Sequence, residues 1–309
     1  MSDLVGVLNE LKNKILSEIP ISICFMDEMI RAYELLKFEK VDDEGLSYID
    51  KDVSLSLVRN FLKEISSSYV DLFDEQDILM VKEDDIEGMK EKATSAVQLC
   101  RLEILLDNGS TTIFFGNSDK REVYINLLMQ NNIIDVFRLL HEFIHFVTID
   151  NVGLLDEVCP ILGELVFTDY LSNKKYFSKD LEFYWNYRHK TLRQIDADFY
   201  YLLKLFKMQD YGIDVDDGRS VHLLVKSLLE KTNIVKYFKE MGDEDNVSHM
   251  VGYYYARMLY EVTPKDELLD LLNGMAYLKN NLSEKEYLDY IKENIGRGYK
   301  RKVKVREFD

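Results

Sequence analysis

The segment DVFRLLHEFIHFV, residues 135–147, sets two imidazoles one helical turn apart with a carboxylate between them. Residues i and i+4 of a helix share a face, so His141 and His145 can each direct a ring nitrogen at one metal ion. Glu142 sits beside them, where a general base for a metal-activated water belongs. Val136, Leu139, Leu140, Phe143, Phe146 and Val147 form an apolar face opposite the histidines, which predicts a helix from Asp135 onward packed on a core. Two histidines are costly there without partners, and this favours metal ligation over a pair of partly buried imidazoles satisfied by neighbours. The expected ion is Zn2+.

A catalytic zinc ion takes three protein ligands and keeps one position open. Asp156, Glu157 and Glu164 are the acidic candidates. Asn151 and Gly153 interrupt the helical pattern, predicting an antiparallel helix pair over 135–149 and 154–171 with its apex near Asn151. His145 lies six residues before that apex and Glu157 six after it, so the two stand at one height and Glu157 is the preferred ligand. A competing rule points to Glu164, because some zinc peptidases place the glutamate nineteen residues beyond the second histidine. The two carboxylates share a face, and Glu164 is expected behind the ligands or on the substrate side.

The rest of the chain bounds the possibilities. Its 309 residues are 47% hydrophobic with only three prolines, enough for one large core or two modest ones in a mainly helical protein. A net charge of −17 opposes a phosphate backbone, so no nucleic-acid partner is expected. Cys24, Cys100 and Cys159 are odd in number and lack CxxC spacing, as reduced thiols in a cytoplasmic protein do. Asp3, Glu10 and Glu18 interrupt the first segment, so no export leader is expected, and no run approaches the roughly 20 apolar residues of a membrane span. A soluble protein without a membrane partner is expected.

Helical spacing is predicted over 3–18, 21–37, 181–207, 219–231, 248–261, 264–279 and 283–294, the last opened by a capping box of Ser283 and Glu286. Ser54 is expected to cap another helix, with apolar positions from Leu55 to Tyr69. Strand character precedes the metal motif. Arg101–Leu106 and Thr111–Phe115 flank the turn signal Asp107-Asn108-Gly109, and Val123–Leu128 follows. An edge of this sheet either pairs with an extended peptide or only supports the helix. The expected organisation is a helical segment over 1–45, a main domain over 46–296 and a basic, solvated tail over 297–309. His189 and His222 read as surface or capping histidines, and Arg188, Arg193, Asp196 and Asp198 as charge pairs on a helix.

VYINLLMQNNIIDVFRLLHEFIHF, Val123–Phe146, resembles the segment of the oligoendopeptidase F and thimet oligopeptidase family in which an edge strand leads through a short loop into the HExxH helix. DEVCPILGELVFTDYL, from Asp156, is similar to the next helix of those zinc peptidases, where a glutamate followed by valine is the third ligand. The resemblance implies His141, His145 and Glu157 as ligands and Glu142 as base. SHMVGYYYARMLYE, Ser248–Glu261, resembles the family's histidine and tyrosine-rich helix, which binds the substrate carbonyl and stabilises the oxyanion. That carries over to His249 and to either Tyr254 or Tyr255, with Tyr253 on the same face as His249.

The likeness covers roughly residues 50–295 and departs from the family in three ways. Ile144 stands where the family has glycine before the second histidine, the spacer from His145 to Glu157 is shorter, and most of the N-terminal lobe is missing. The implied protein is a mainly α, zincin-like gluzincin with a small β-sheet beside the HExxH helix. It would be a metallopeptidase hydrolysing oligopeptides or flexible segments. The alternatives are a zincin-like binding or regulatory protein without hydrolysis, and a protease effector dedicated to one protein target.

Overall fold

The computed structural model describes residues 6, 12–13, 25–37, 45–108, 110–117, 120–148, 153–174, 177–193, 197–210, 244–279 and 281–306. In chain order these form α1 (Met26–Leu35), α2 (Lys51–Ile65), α3 (Ser67–Asp74), β1 (Ile78–Val81), α4 (Glu83–Lys90), α5 (Ala96–Asn108), β2 (Ser110–Asn117) and β3 (Lys120–Leu128). There follow α6 (Ile133–Val147), α7 (Val158–Asn173), α8 (Ser178–Leu192), α9 (Ala197–Asp210), α10 (Glu244–Val262), α11 (Leu268–Lys279) and α12 (Glu284–Arg306). The protein is mainly helical with one small sheet, as its composition and periodicity predict. No described helix is long and apolar enough to cross a membrane.

The chain forms two compact units, each built from two separate stretches: Met1–Glu39 with Asn186–Tyr255, and Lys40–Trp185 with Ala256–Asp309. In the second unit the sheet has the order β1-β3-β2, with β1 parallel and β2 antiparallel to β3. β3 is central, and its Ile125 and Leu127 are fully buried. β2 has β3 as its one strand neighbour among the described residues and is an edge. Helix α6 packs on β2 and β3 and also on α2 and α7. That explains a sequence buried almost all round, with Ile133, Val136, Phe137, Leu139, Leu140 and Phe143 out of reach of water.

The start of α6 is fixed by its own polar residues. The Asn132 side chain caps the helix by accepting the Ile134 N–H at 2.9 Å. Asp135, fully buried, reaches back to accept the N–H groups of Gln130 and Asn131. Burial raises the Asp135 pKa, and these backbone donors offset part of that effect. The reciprocal arrangement works as a capping box and sets the register of the metal motif.

In the first unit α1 packs on α9. Tyr33 and Tyr200 stack with ring centres 4.2 Å apart, and the Arg193 guanidinium lies 4.1 Å over Tyr33. The predicted helix over 181–207 is seen as α8 and α9, residues 194–196 lying outside the described set. The helix over 219–231, His222, and most of 3–18 also lie outside it.

Four local expectations need correction. Arg101–Leu106 is part of α5 and not a strand; Leu102 and Leu105, one turn apart, pack with Val81 and Ile86. Asn108 therefore ends a helix instead of turning a hairpin, two uses that Asn-Gly serves equally well. The actual hairpin joins β2 to β3. Asp50 and not Ser54 caps α2, accepting the Val53 N–H at 2.9 Å, and Ser66 breaks the predicted single helix into α2 and α3. The basic segment is not a separate tail as far as Arg306, because α12 continues through it. Cations are favoured at a helix C-terminus, and Arg297 pairs with Glu293 one turn back. The capping box of Ser283 and Glu286 is present as predicted, with the Ser283 hydroxyl donating to Glu286 Oε2 at 2.6 Å.

Candidate metal centre

His141 and His145 project from one face of α6, their Nε2 atoms 3.1 Å apart and their rings steeply inclined at 75°. Glu157 faces both. Its Oε2 lies 3.3 Å from His141 Nε2 and its Oε1 3.1 Å from His145 Nε2. One ligand atom from each of the three residues falls within 4.8 Å of the other two. Among the described residues this is the group able to hold a metal ion. Asp156 is not part of it.

Glu164 sits behind the group. Its Oε1 is 2.7 Å from His141 Nδ1, and its side chain is only 1% exposed. A proton on Nδ1 donated to Glu164 leaves the Nε2 lone pair of His141 directed at the other two ligands. Of the two candidate carboxylates, Glu157 is the one grouped with both histidines. Both carboxylates touch His141, Glu157 on the nitrogen that faces His145 and Glu164 on the opposite nitrogen.

The charges fit a cation as well as the geometry does. Burial alone would lower the His141 pKa, but Glu157 first, and then Glu164, more than offset it and push it up to about 10. Two buried carboxylates around one imidazole demand positive charge at this point. Two imidazole nitrogens facing each other at 3.1 Å can share at most one proton. A divalent ion between them satisfies both nitrogens and the carboxylate together.

The route of the chain to Glu157 differs from the expected helix. After α6 the backbone turns through a 3-10 segment, Gly153–Leu155, and Glu157 occupies the N-cap position of α7 with φ −79° and ψ −9°. Gly153 has φ +55°, a conformation that favours glycine. Pro160 lies in the first turn of α7, where its missing N–H costs nothing. The residue that the apex symmetry picks, Glu157, is the one that meets both histidines.

Ile144 has a packing explanation. A Cβ built on Gly163 of α7 would lie 2.1 Å from Ile144 Cδ1, so the isoleucine fills the space that a side chain at 163 would occupy. The large residue of the α6–α7 contact stands on α6 and the small one on α7, and Ile144 points at the partner helix. Glu142 is 7% exposed, and the Thr112 hydroxyl of β2 lies 2.9 Å from its Oε2. Thr112 has no sequence signature: an isolated threonine in a strand gives no hint of which helix its hydroxyl meets.

The remaining candidates belong to the first unit. His249 is half-buried on α10. Tyr254 accepts a hydrogen bond from Arg31 Nη1 at 3.1 Å, and Tyr255, 2% exposed, donates to Glu28 Oε1 at 2.7 Å. The Tyr253 hydroxyl meets His189 Nε2 at 3.0 Å, while His189 Nδ1 bonds the Lys37 carbonyl. His189 is therefore a bonded structural residue. The metal group and Glu142 come together in one unit, and His249, Tyr254 and Tyr255 are placed with the residues of the other. No protein-family model, curated protein or solved structure matches this chain.

Proposed function

We propose that the protein is a zinc-dependent metallopeptidase with a zincin-like catalytic unit, akin to oligoendopeptidase F and thimet oligopeptidase. The observation that carries this reading is the convergence of His141 Nε2, His145 Nε2 and the Glu157 carboxylate, with Glu142 next in sequence to a ligand. A His2Glu donor set suits zinc, which takes imidazole and carboxylate ligands and leaves a fourth position open. A zinc ion held there supplies Lewis acidity, acidifying water and polarising a carbonyl oxygen. His141, kept in one tautomer by Glu164, and His145 orient the site, and Glu157 neutralises charge.

Glu142 takes a proton from the attacking water and passes it to the leaving amine as the C–N bond breaks. β2, an edge beside α6, gives an extended peptide a line of main-chain partners, so the substrate class is oligopeptides or flexible segments. These steps use the second unit alone.

Bound zinc and cleavage of a mixed quenched-peptide library, measured for the wild type and Glu142→Gln, test the proposal. Zinc retained in both, with turnover only in the wild type, is the expected result. Zinc without turnover in the wild type would favour a binding protein, and absence of zinc after metal loading would end both readings.

A further inference from the structure

We infer that Thr112 is a positioning residue for Glu142, an inference that rests on the peptidase reading above. Its hydroxyl oxygen lies 2.9 Å from Glu142 Oε2 and 2.9 Å from the Glu142 backbone oxygen. A threonine hydroxyl has one proton and donates to one of these at a time. A carboxylate oxygen is a stronger acceptor than a peptide carbonyl, so the proton goes to Oε2. Oε2 is then held against the strand, and Oε1 becomes the oxygen that takes the proton from water.

The support is rigid because it comes from a paired strand. Thr112 stands opposite Ile125 in the antiparallel register, and Ile125 is fully buried in the centre of the sheet. The same strand offers its open edge to an extended peptide. Substrate placement on β2 and orientation of Glu142 therefore share one element, and a shift of the strand moves both.

The test compares zinc-loaded, full-length wild type, Thr112→Val, Thr112→Ala, Thr112→Ser and Glu142→Gln. Each is titrated calorimetrically with acetohydroxamic acid, a probe that chelates zinc and shares a proton with an adjacent base, and zinc content and thermal midpoint are recorded. Zinc content should be equal in all. Binding should weaken about tenfold in Thr112→Val and Thr112→Ala, and stay within about twofold of the wild type in Thr112→Ser. Unchanged affinity in the hydroxyl-less variants beside a clear loss in Glu142→Gln overturns the role of Thr112 and leaves the peptidase reading standing. Losses in Thr112→Ser and Thr112→Ala beside unchanged affinity in Thr112→Val also overturn it, because the methyl group would then matter and the hydroxyl would not. Affinity that Glu142→Gln itself leaves unchanged sinks the peptidase reading, and the inference with it.

Discussion

Helices α6 and α10 carry similar inventories, histidines among aromatic and apolar residues, yet they use them in opposite ways. On α6 the polar groups converge: two imidazole nitrogens and a carboxylate meet within hydrogen-bond distance of one another, with a second carboxylate behind. On α10 they diverge: Tyr253, Tyr254 and Tyr255 each bond a different residue, His189, Arg31 and Glu28. A buried polar group that has its own partner is structural bookkeeping. Several that converge on one point, where an added cation would satisfy them together, mark a candidate site.

The largest effect expected from this contrast is at Glu157. Glu157→Ala should weaken zinc binding by more than about 100-fold, beyond the range that partners of ligands produce. Competition against a chromophoric chelator measures it, and unchanged affinity would mean that the converging groups are not the metal centre. Glu164→Ala should cost less, roughly 10–100-fold, because it frees the His141 ring without removing a ligand. If the order of these two is reversed, Glu164 is the ligand and the roles assigned to the two nitrogens of His141 are wrong.

Gly163→Ala tests the packing beneath the site. The new methyl would meet Ile144 Cδ1, and a loss of about 2 kcal/mol in urea unfolding is expected, in the range for overpacking. Adding Ile144→Ala should not add its full cost, since it vacates the contested space. Additive effects would show that α6 and α7 part without strain. The smallest change is expected on α10. Tyr255→Phe removes the donor to Glu28 and should cost about 1.5 kcal/mol with zinc affinity unchanged. A fall in zinc affinity there would dissolve the distinction between the two helices.

Legibility in the sequence followed the range of the forces involved. The i, i+4 histidines were readable because helical periodicity alone puts them on one face. Glu157 was readable because two antiparallel helices joined by a short turn are nearly symmetric about it. The α5 segment reads as a strand because Leu102, Leu105 and the Asn-Gly pair satisfy helix and hairpin patterns alike, and only packing with Val81 and Ile86 separates them. Ile144 is a departure by sequence alone, and Gly163, distant in sequence and adjacent in space, accounts for it.

The sequence by itself determined a mainly helical chain, two histidines on one helix face and a carboxylate able to meet them. Those properties follow from local geometry and from chemistry carried by single residues. Only the tertiary structure decided which nitrogen of His141 each glutamate meets, what fills the space beside Ile144, and that a threonine on an edge strand holds Glu142. Such contacts depend on side-chain direction to within an ångström between elements far apart in sequence, and no periodicity encodes that.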